Sequence, residues 1–396
     1  MNWKLVLAIL TGNIIFMSAS YTMLIPFLPM YLTHELGVAP ENVNLWSGVV
    51  FSATFIVSSI MAPIWGRMAD TRGKRVMAIR ASFLLAVSYF LGGIVETPLQ
   101  LVGMRVFQGF AAGLWPMDLA IMTLYAPPNK LGVSLGVMQA AMTSGGVIGP
   151  LFGGFLAEAF GMRASFFVAA GALFLNFLVF VFVIKEPPDP DRVKRATEKR
   201  TAPGALALLK VPVLRTLLLS SALVQMTILI LQPIMTTYIS TNLAGDLPNL
   251  VLVSGFVLSL GGFAGVIASP CWGWLGQHHG YLLVTLITIP CAAVGLSVQG
   301  ALSELYPFAA MQFVCGIFFS GIHPSINALL AKNTDAGVKG SIFGLMFAAQ
   351  QIGSILGPLL GGTVATVLGM RCVFYVAAAV LLSLTFFLRS RRKRLA

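Results

Sequence analysis

Three ionisable side chains fall deep inside apolar stretches of this chain. Asp118 is the only carboxylate well inside such a stretch, and Arg105 precedes it in the same stretch. His323 is the only histidine at comparable depth. An isolated ion in apolar surroundings is strongly disfavoured, so each group needs a partner, a change of protonation or a function. Histidine titrates near neutral pH. Asp118 and His323 are therefore candidates for proton transfer inside a nonpolar medium, and Arg105 is a candidate functional residue.

Less specific explanations exist for the same residues. Asp118 could be a structural acid tied to a neighbouring helix. His323 could be a hydrogen-bonded core histidine beside Pro324, and Arg105 could snorkel to the interface. On an ideal continuous helix Arg105 and Asp118 lie about 20 Å apart along the axis and about 140° apart around it. We therefore expect no direct ion pair unless Pro116 distorts the helix severely.

The elements that carry these residues are long apolar helices. The 396 residues are 57% hydrophobic and 10% charged, against roughly 25% charged in soluble domains. A bilayer core requires about 20 apolar residues per helix. Such stretches occur at 5–32, 44–66, 77–95, 99–125, 132–157, 165–184, 214–241, 250–272, 281–301, 306–331, 338–366 and 372–389. The fold class is therefore an all-α polytopic membrane protein with twelve transmembrane helices.

The net charge of +12 follows the predicted topology. With a cytoplasmic N-terminus, 22 of the 25 Lys and Arg residues fall in cytoplasmic segments, including the stretches 67–80 and 185–215. Arg163 and Arg371 lie outside, and Arg105 lies within a span. This asymmetry is the positive-inside pattern, which places both termini in the cytoplasm and makes a basic nucleic-acid-binding face a poor explanation.

The chain contains an internal repeat with an offset of 207 or 208 residues. Pro26 aligns with Pro233, Gly149-Pro150 with Gly357-Pro358, and Gly161-Met162-Arg163 with Gly369-Met370-Arg371. Each copy holds an even number of spans, so both have the same membrane orientation. We predict two pseudo-symmetric six-helix bundles at 1–184 and 213–396, joined by a polar cytoplasmic linker at 185–212.

A charged motif at 66–75 joins the second and third spans and resembles the hallmark loop of the major facilitator superfamily. Its characteristic positions are Gly66, Asp70, Arg72, Gly73, Lys74 and Arg75. The resemblance implies that Asp70 meets the N-terminus of span 11 and helps to form a conformational latch between the halves. Positive-inside charge alone explains the basic residues but not Asp70. The second copy, at 273–280, lacks the acid and the bases, which indicates a one-sided latch.

Two further motifs resemble the same superfamily. Arg105-Val106-Phe107-Gln108-Gly109 is similar to its fourth-helix motif, whose buried arginine faces the central cavity and is linked to proton transfer. Span 5 reproduces the spacing of the antiporter motif of the drug:proton antiporter group. The residues of this stripe are Gly136, Gly145, Gly149, Pro150, Gly153 and Gly154. Glycines four apart also permit close helix packing. Because span 11 repeats the stripe at 353–362, packing alone would explain both copies.

The resemblance covers nearly the whole chain and is closest to the MdtG-type multidrug efflux subgroup, at residues 25–29, 44–52 and 128–136. It implies a secondary transporter that exports amphiphilic organic compounds in exchange for protons, by alternating access, as a monomer in the bacterial inner membrane. Export of one endogenous metabolite, such as a siderophore or a sugar, is the alternative; a non-transporting receptor is a more remote one. No nucleotide fingerprint or metal-spaced cluster occurs, so we expect no cofactor, no metal and no enzymatic activity.

Overall fold

The computed structural model describes residues 2–127, 130–186, 209–243, 249–334 and 339–392, without the side chains of Asp70, Gly132 and residues 339–341. The described chain is almost entirely helical and contains no strand. In the first half the helices are α1 (Trp3–Thr22), α2 (Val43–Arg72), α3 (Lys74–Ile94), α4a (Pro98–Ala111), α4b (Leu114–Tyr125), α5 (Leu131–Phe160) and α6 (Met162–Phe182). In the second they are α7 (Pro212–Ile230), α8 (Leu250–His279), α9 (Tyr281–Ala301), α10 (Leu305–Lys332), α11 (Lys339–Leu368) and α12 (Met370–Ser390).

Helix lengths repeat between the two halves. Helices α2 and α8 each contain 30 residues, as do α5 and α11. Helices α3, α6, α9 and α12 each contain 21 residues. A single glycine with positive φ connects each of the pairs α2–α3, α5–α6, α8–α9 and α11–α12. The repeat seen in the sequence therefore extends to helix bounds and turn geometry.

Three predicted spans are not continuous α-helices. Spans 5–32 and 214–241 were expected to be uninterrupted, but α1 and α7 end before Pro26 and Pro233, which lack the N–H that a helix interior needs. After each proline come a short helix, Leu28–Met30 or Met235–Tyr238, and a π-helical turn, Tyr31–Glu35 or Ile239–Leu243.

The predicted span 99–125 is broken between α4a and α4b. Within the described residues, eleven helices are long and apolar enough to cross a membrane, and neither part of the fourth span reaches that length by itself. The break lies at Ala112 and Gly113, and not at Pro116, the one residue considered as a possible distortion. Gly113 has φ +119°, a conformation that favours glycine. Pro116 falls in the first turn of α4b, where the missing N–H has no helical partner to lose.

Packing divides the chain into two compact units. One comprises Met1–Phe27, Glu35–Gly37 and Ala53–Ala202, and the other Leu28–His34, Val38–Ser52 and Pro203–Ala396. Within the first unit, α1 packs on α5 and α3 packs on α6; within the second, α7 packs on α11 and α9 packs on α12. Most of the linker at 185–212 lies outside the described residues, so the boundaries based on the repeat stay a prediction.

The start of α2 belongs to the second unit and packs closely on α11. Ser52 Oγ donates a hydrogen bond to the carbonyl of Ile355 over 2.8 Å. A Cβ on Gly48 would lie 3.2 Å from the carbonyl carbon of Pro358, and one on Gly362 would lie 3.2 Å from that of Asn44. Glycine is therefore required on both helices for this backbone approach.

Candidate functional site

Arg105 is buried on α4a, with 4% of its surface exposed. Its Nη1 donates to Gln108 Oε1 over 2.9 Å, and Thr54 Oγ1 on α2 donates to the Arg105 carbonyl over 3.2 Å. Tyr89 on α3 and Tyr21 on α1 lie close enough to interact electrostatically with the guanidinium. The side chain is thus buried beside α1 and α3, while α2 contacts its backbone, and this burial weighs against snorkelling to the interface.

Asp118 is fully buried on α4b. Neither carboxylate oxygen has a hydrogen-bond partner within the part of the chain that the structure describes. Segment α4b contacts α1, α3 and α5, yet none of these helices supplies a described donor to Asp118. An ionised carboxylate in this position would be strongly destabilised, so the arrangement favours the protonated acid.

Arg105 and Asp118 do not form an ion pair, as expected, but the helix geometry behind that expectation was wrong. It assumed one continuous helix with Pro116 as the only possible distortion. Because the chain breaks at Ala112 and Gly113, the two residues lie on separate helical segments. Their relative orientation therefore depends on the break and not on the 3.6-residue helical period.

His323 lies on α10, within the second unit. Its Nδ1 is 3.4 Å from Gln350 Nε2 on α11. Its Nε2 and the Oδ1 of Asn327, one turn further along the same helix, are buried without a hydrogen-bond partner among the described residues. Gln350 and His323 thus meet between α10 and α11, and the unpartnered Asn327 Oδ1 lies one turn along α10. This arrangement is compatible with both explanations for His323, a group that transfers protons and a hydrogen-bonded core histidine.

The motif at 66–75 is mostly helical, which differs from the loop expected from hydropathy. Helix α2 continues through Arg72, and α3 begins at Lys74. Gly73 alone forms the turn, with φ +111°. Hydropathy marks where a helix leaves the apolar layer, and here the helix continues beyond that point. The side chain of Asp70 lies outside the described part of the structure, so the latch at Asp70 stays a prediction.

The basic end of this motif packs against the end of α6. Glu186 accepts hydrogen bonds from the backbone N–H groups of Lys74 (3.2 Å) and Arg75 (2.9 Å), the first two residues of α3. The Arg75 guanidinium donates to the carbonyls of Phe180 (3.0 Å) and Val181 (2.7 Å). An acid therefore caps one helix start and an arginine caps one helix end. Sequence reasoning missed Glu186; its only signal is an acid directly after span 6.

The glycine stripe of α5 lies directly against α1. A Cβ on Gly145 would lie 2.7 Å from the Ile15 carbonyl oxygen, and one on Gly149 would lie 2.7 Å from that of Ala19. A Cβ on Gly153 would clash with the Met23 backbone. The stripe at 353, 357 and 361 meets α7 in the same way. Gly136 stands apart, since its added Cβ would meet nothing within 4 Å.

Sequence reasoning also missed Arg80, which was counted among the cytoplasmic loop charges. The residue lies inside α3, and its guanidinium reaches the carbonyl groups at the end of α4a. Trp65 on α2 contacts the same point, because its Nε1 donates to the Phe110 carbonyl over 2.9 Å. Nothing in the sequence distinguishes Arg80 from the other basic residues of the 67–80 stretch.

The described residues contain no group of three or more His, Cys, Asp or Glu side chains that could hold a metal ion. The polar groups of interest are instead dispersed along α4a, α4b and α10. This arrangement suits ion transfer and conformational control. The sequence profile described as Major Facilitator Superfamily matches residues 10–248 and 217–396. The chain belongs to this superfamily.

Curated relatives are similar over almost their full length. Multidrug resistance protein MdtG of Proteus mirabilis is 33% identical over 380 residues, covering 96% of this chain and 94% of the relative. The protein of the same name from Salmonella typhimurium strain LT2 is 31% identical over 399 residues, covering 100% and 98%. Membership of the superfamily identifies a multi-pass membrane transporter and not an enzyme.

Solved structures share the fold at low identity. A bacterial homologue of the human lysosomal transporter Spinster aligns with a TM-score of 0.81 at 15% identity, covering 98% of this chain and 97% of the other. The nucleoside transporter NupG aligns with a TM-score of 0.77 at 16% identity, covering 99% and 100%. The all-α major facilitator fold predicted from the sequence is therefore confirmed.

Proposed function

We propose that this transporter exports amphiphilic organic compounds of several chemical types in exchange for protons, with Asp118 as the proton carrier. The relatives from Proteus mirabilis and Salmonella typhimurium carry the name multidrug resistance protein, and we extend that substrate class to this chain. The glycine spacing of α5, which resembles the antiporter motif, supports the export direction.

The observation that carries the proton role is the unpartnered carboxyl of Asp118. A structural acid is expected to hold a hydrogen-bond donor, and none of the described residues provides one. Burial holds the proton on the acid in this conformation. A conformation that hydrates α4b would lower the cost of ionisation and release the proton. Binding and release on opposite sides of the membrane would couple the proton gradient to export.

Arg105 and His323 are assigned supporting roles in proton transfer. Arg105 is a buried cation on the same predicted span as Asp118, beside Tyr21 of α1 and Tyr89 of α3, and its assigned role is to stabilise negative charge that arises close to it during proton transfer. His323 retains an unused ring nitrogen on α10.

The motif of Gly66, Asp70, Arg72, Gly73, Lys74 and Arg75 is assigned the role of conformational latch. The charge asymmetry supports a bacterial inner-membrane location with both termini in the cytoplasm. Because one chain contains both repeats, a monomer suffices for transport. We assign the chain no nucleic-acid partner.

Purified protein in proteoliposomes tests the proton role. Asp118→Asn mimics the neutral acid permanently, so counterflow exchange should stay within about twofold of the parent, while accumulation driven by a pH gradient falls at least about tenfold. Asp118→Glu retains a titratable carboxyl and is the matched control, with pH-driven accumulation preserved. Thermal unfolding of the same preparations detects misfolding. Retained pH-driven accumulation in stable Asp118→Asn protein would remove the proton role.

Substrate breadth is tested in an efflux-deficient bacterial host that expresses the parent protein. Resistance should rise against several chemically unrelated amphiphilic toxins. Asp118→Asn should abolish this resistance at equal membrane abundance, because export then lacks its driving gradient. Resistance confined to one compound would instead support export of a single metabolite.

A further inference from the structure

Arg80 forms a clamp at the break in the fourth span. Its Nη2 donates to the carbonyls of Ala112 over 2.9 Å and Ala111 over 3.4 Å, and its Nη1 donates to that of Phe110 over 3.4 Å. The guanidinium carbon lies 3.8 Å from the ring centroid of Trp65, which is within the range of a cation–π contact. Trp65 on α2 and Arg80 on α3 therefore both donate to carbonyl groups at the end of α4a.

The break creates the need for such donors. The last four carbonyls of any helix have no partner within the helix. At membrane depth no water is available to satisfy such a group. An arginine presents five N–H donors in one plane and can satisfy several carbonyls together. Because α4a ends inside a span, the donors of Arg80 replace the helical hydrogen bonds that α4b would have supplied.

The second half of the chain provides an internal comparison. Trp272 Nε1 donates to the Ile317 carbonyl over 2.7 Å, at an offset of 207 residues from the Trp65 and Phe110 contact. The residue at the same offset from Arg80 is Ile287. Helix α10 passes through the equivalent position without interruption, as Leu305–Lys332. The tryptophan contact thus occurs in both repeats, whereas the arginine and the broken helix occur together in the first.

We propose that Arg80 is a positioning residue that maintains the break at Ala112 and Gly113 and so fixes α4b, with Asp118, independently of α4a, with Arg105. This inference rests on the proposed proton role of Asp118. Loss of the clamp leaves the carbonyls at the end of α4a without donors. Segment α4b then fluctuates, water reaches Asp118 outside the transport cycle, and protons cross without substrate.

Hydrogen exchange of the purified full-length protein measures the clamp directly. Arg80→Ile, which copies the residue of the second half, should accelerate amide exchange in residues 108–120 by about tenfold or more. Residues 315–327, at the same offset in α10, should exchange at the parental rate. Arg215→Ile is the matched control, because Arg215 is an exposed cation on α7, and it should leave both segments unchanged.

Transport in proteoliposomes provides the second readout. For Arg80→Ile we expect an unchanged KM in counterflow, a loss of pH-driven accumulation of about fivefold or more, and faster dissipation of the pH gradient without substrate. Arg80→Lys should restore part of the coupling, since an ammonium group can reach a carbonyl but lacks the planar fork. A merely structural role would lower the amount of folded protein and leave the accumulation ratio of the folded fraction unchanged.

The outcomes separate this inference from the proposed function. If Asp118→Asn retains coupling, the proton role fails, but accelerated exchange in Arg80→Ile still identifies the clamp. If Arg80→Ile does not fold, Trp65→Phe replaces it, since it removes one donor to the Phe110 carbonyl, and a smaller acceleration in residues 108–120 is expected. Parental exchange rates in Trp65→Phe and Arg80→Lys would overturn the proposal.

Discussion

The contact between the α5 glycine stripe and α1 can be tested by adding one methyl group. In Gly149→Ala the new Cβ would lie 2.7 Å from the Ala19 carbonyl oxygen and 3.1 Å from its Cα, whereas ordinary contacts begin at 3.4 Å. These are backbone atoms, so relief requires the helices to separate. Overpacking of this kind costs about 1–3 kcal/mol.

Gly136→Ala is the matched control on the same helix, because its Cβ would meet nothing within 4 Å. Replacing a helical glycine by alanine otherwise stabilises a protein by about 0.5–1 kcal/mol. This gain is common to both variants and cancels in their difference. The difference in unfolding free energy between Gly136→Ala and Gly149→Ala should therefore equal the steric cost, about 1–3 kcal/mol.

Equilibrium unfolding in mixed micelles, followed by tryptophan fluorescence, provides the assay. Gly357→Ala, whose Cβ would lie 2.6 Å from the Met226 carbonyl oxygen, should be destabilised to a similar extent if the stripe serves packing in both halves. A Gly149→Ala protein as stable as Gly136→Ala would refute the contact. Loss of transport without loss of stability, in Gly149→Ala alone, would instead favour a specific antiporter role for α5.

Three further predictions concern the motif at 66–75, the start of α3 and the linker. Asp70→Asn should greatly slow transport while equilibrium substrate binding changes little, because the proposed latch affects the conformational balance; a parental transport rate would rule out the latch. Glu186→Gln should lower the unfolding free energy by about 0.5–2 kcal/mol, since the charged cap of α3 is lost, whereas the exposed Glu158→Gln should be neutral in the same titration. In a cysteine-free background, Thr197→Cys should react with an impermeant maleimide only in inverted vesicles; labelling of intact cells would reverse the topology.

The sequence was sufficient for the architecture because long apolar runs, charge asymmetry and an internal repeat are global signals. The close approach of Gly145, Gly149 and Gly153 to a neighbouring helix was also predictable, since spacing of four residues defines one helix face. That a turn within the motif at 66–75 joins α2 to α3 followed from hydropathy. Its exact place did not, because the polar motif continues the helical period of α2 past the apolar layer.

The contacts made by backbone carbonyls were not predictable. Arg80 and Arg75 look alike in a basic run, yet each caps a different helix end, and the capped groups have no sequence signature. The break at Gly113 did have a signal, a glycine ahead of Pro116, but the span was expected to be continuous and only the proline was considered as a possible distortion. A proline is tolerated in a first helical turn, so the glycine marked the end of one helix and the proline marked the start of the next.

The single-glycine connections bear on where the chain tolerates added length. A turn of one residue leaves no slack in the folded protein, so the end of α2 fixes where α3 begins, and the end of α8 fixes where α9 begins. Length added at Gly73 or Gly280 would therefore separate two helix ends that the fold holds one residue apart. We expect a reporter domain inserted there to lower the amount of folded protein in the membrane.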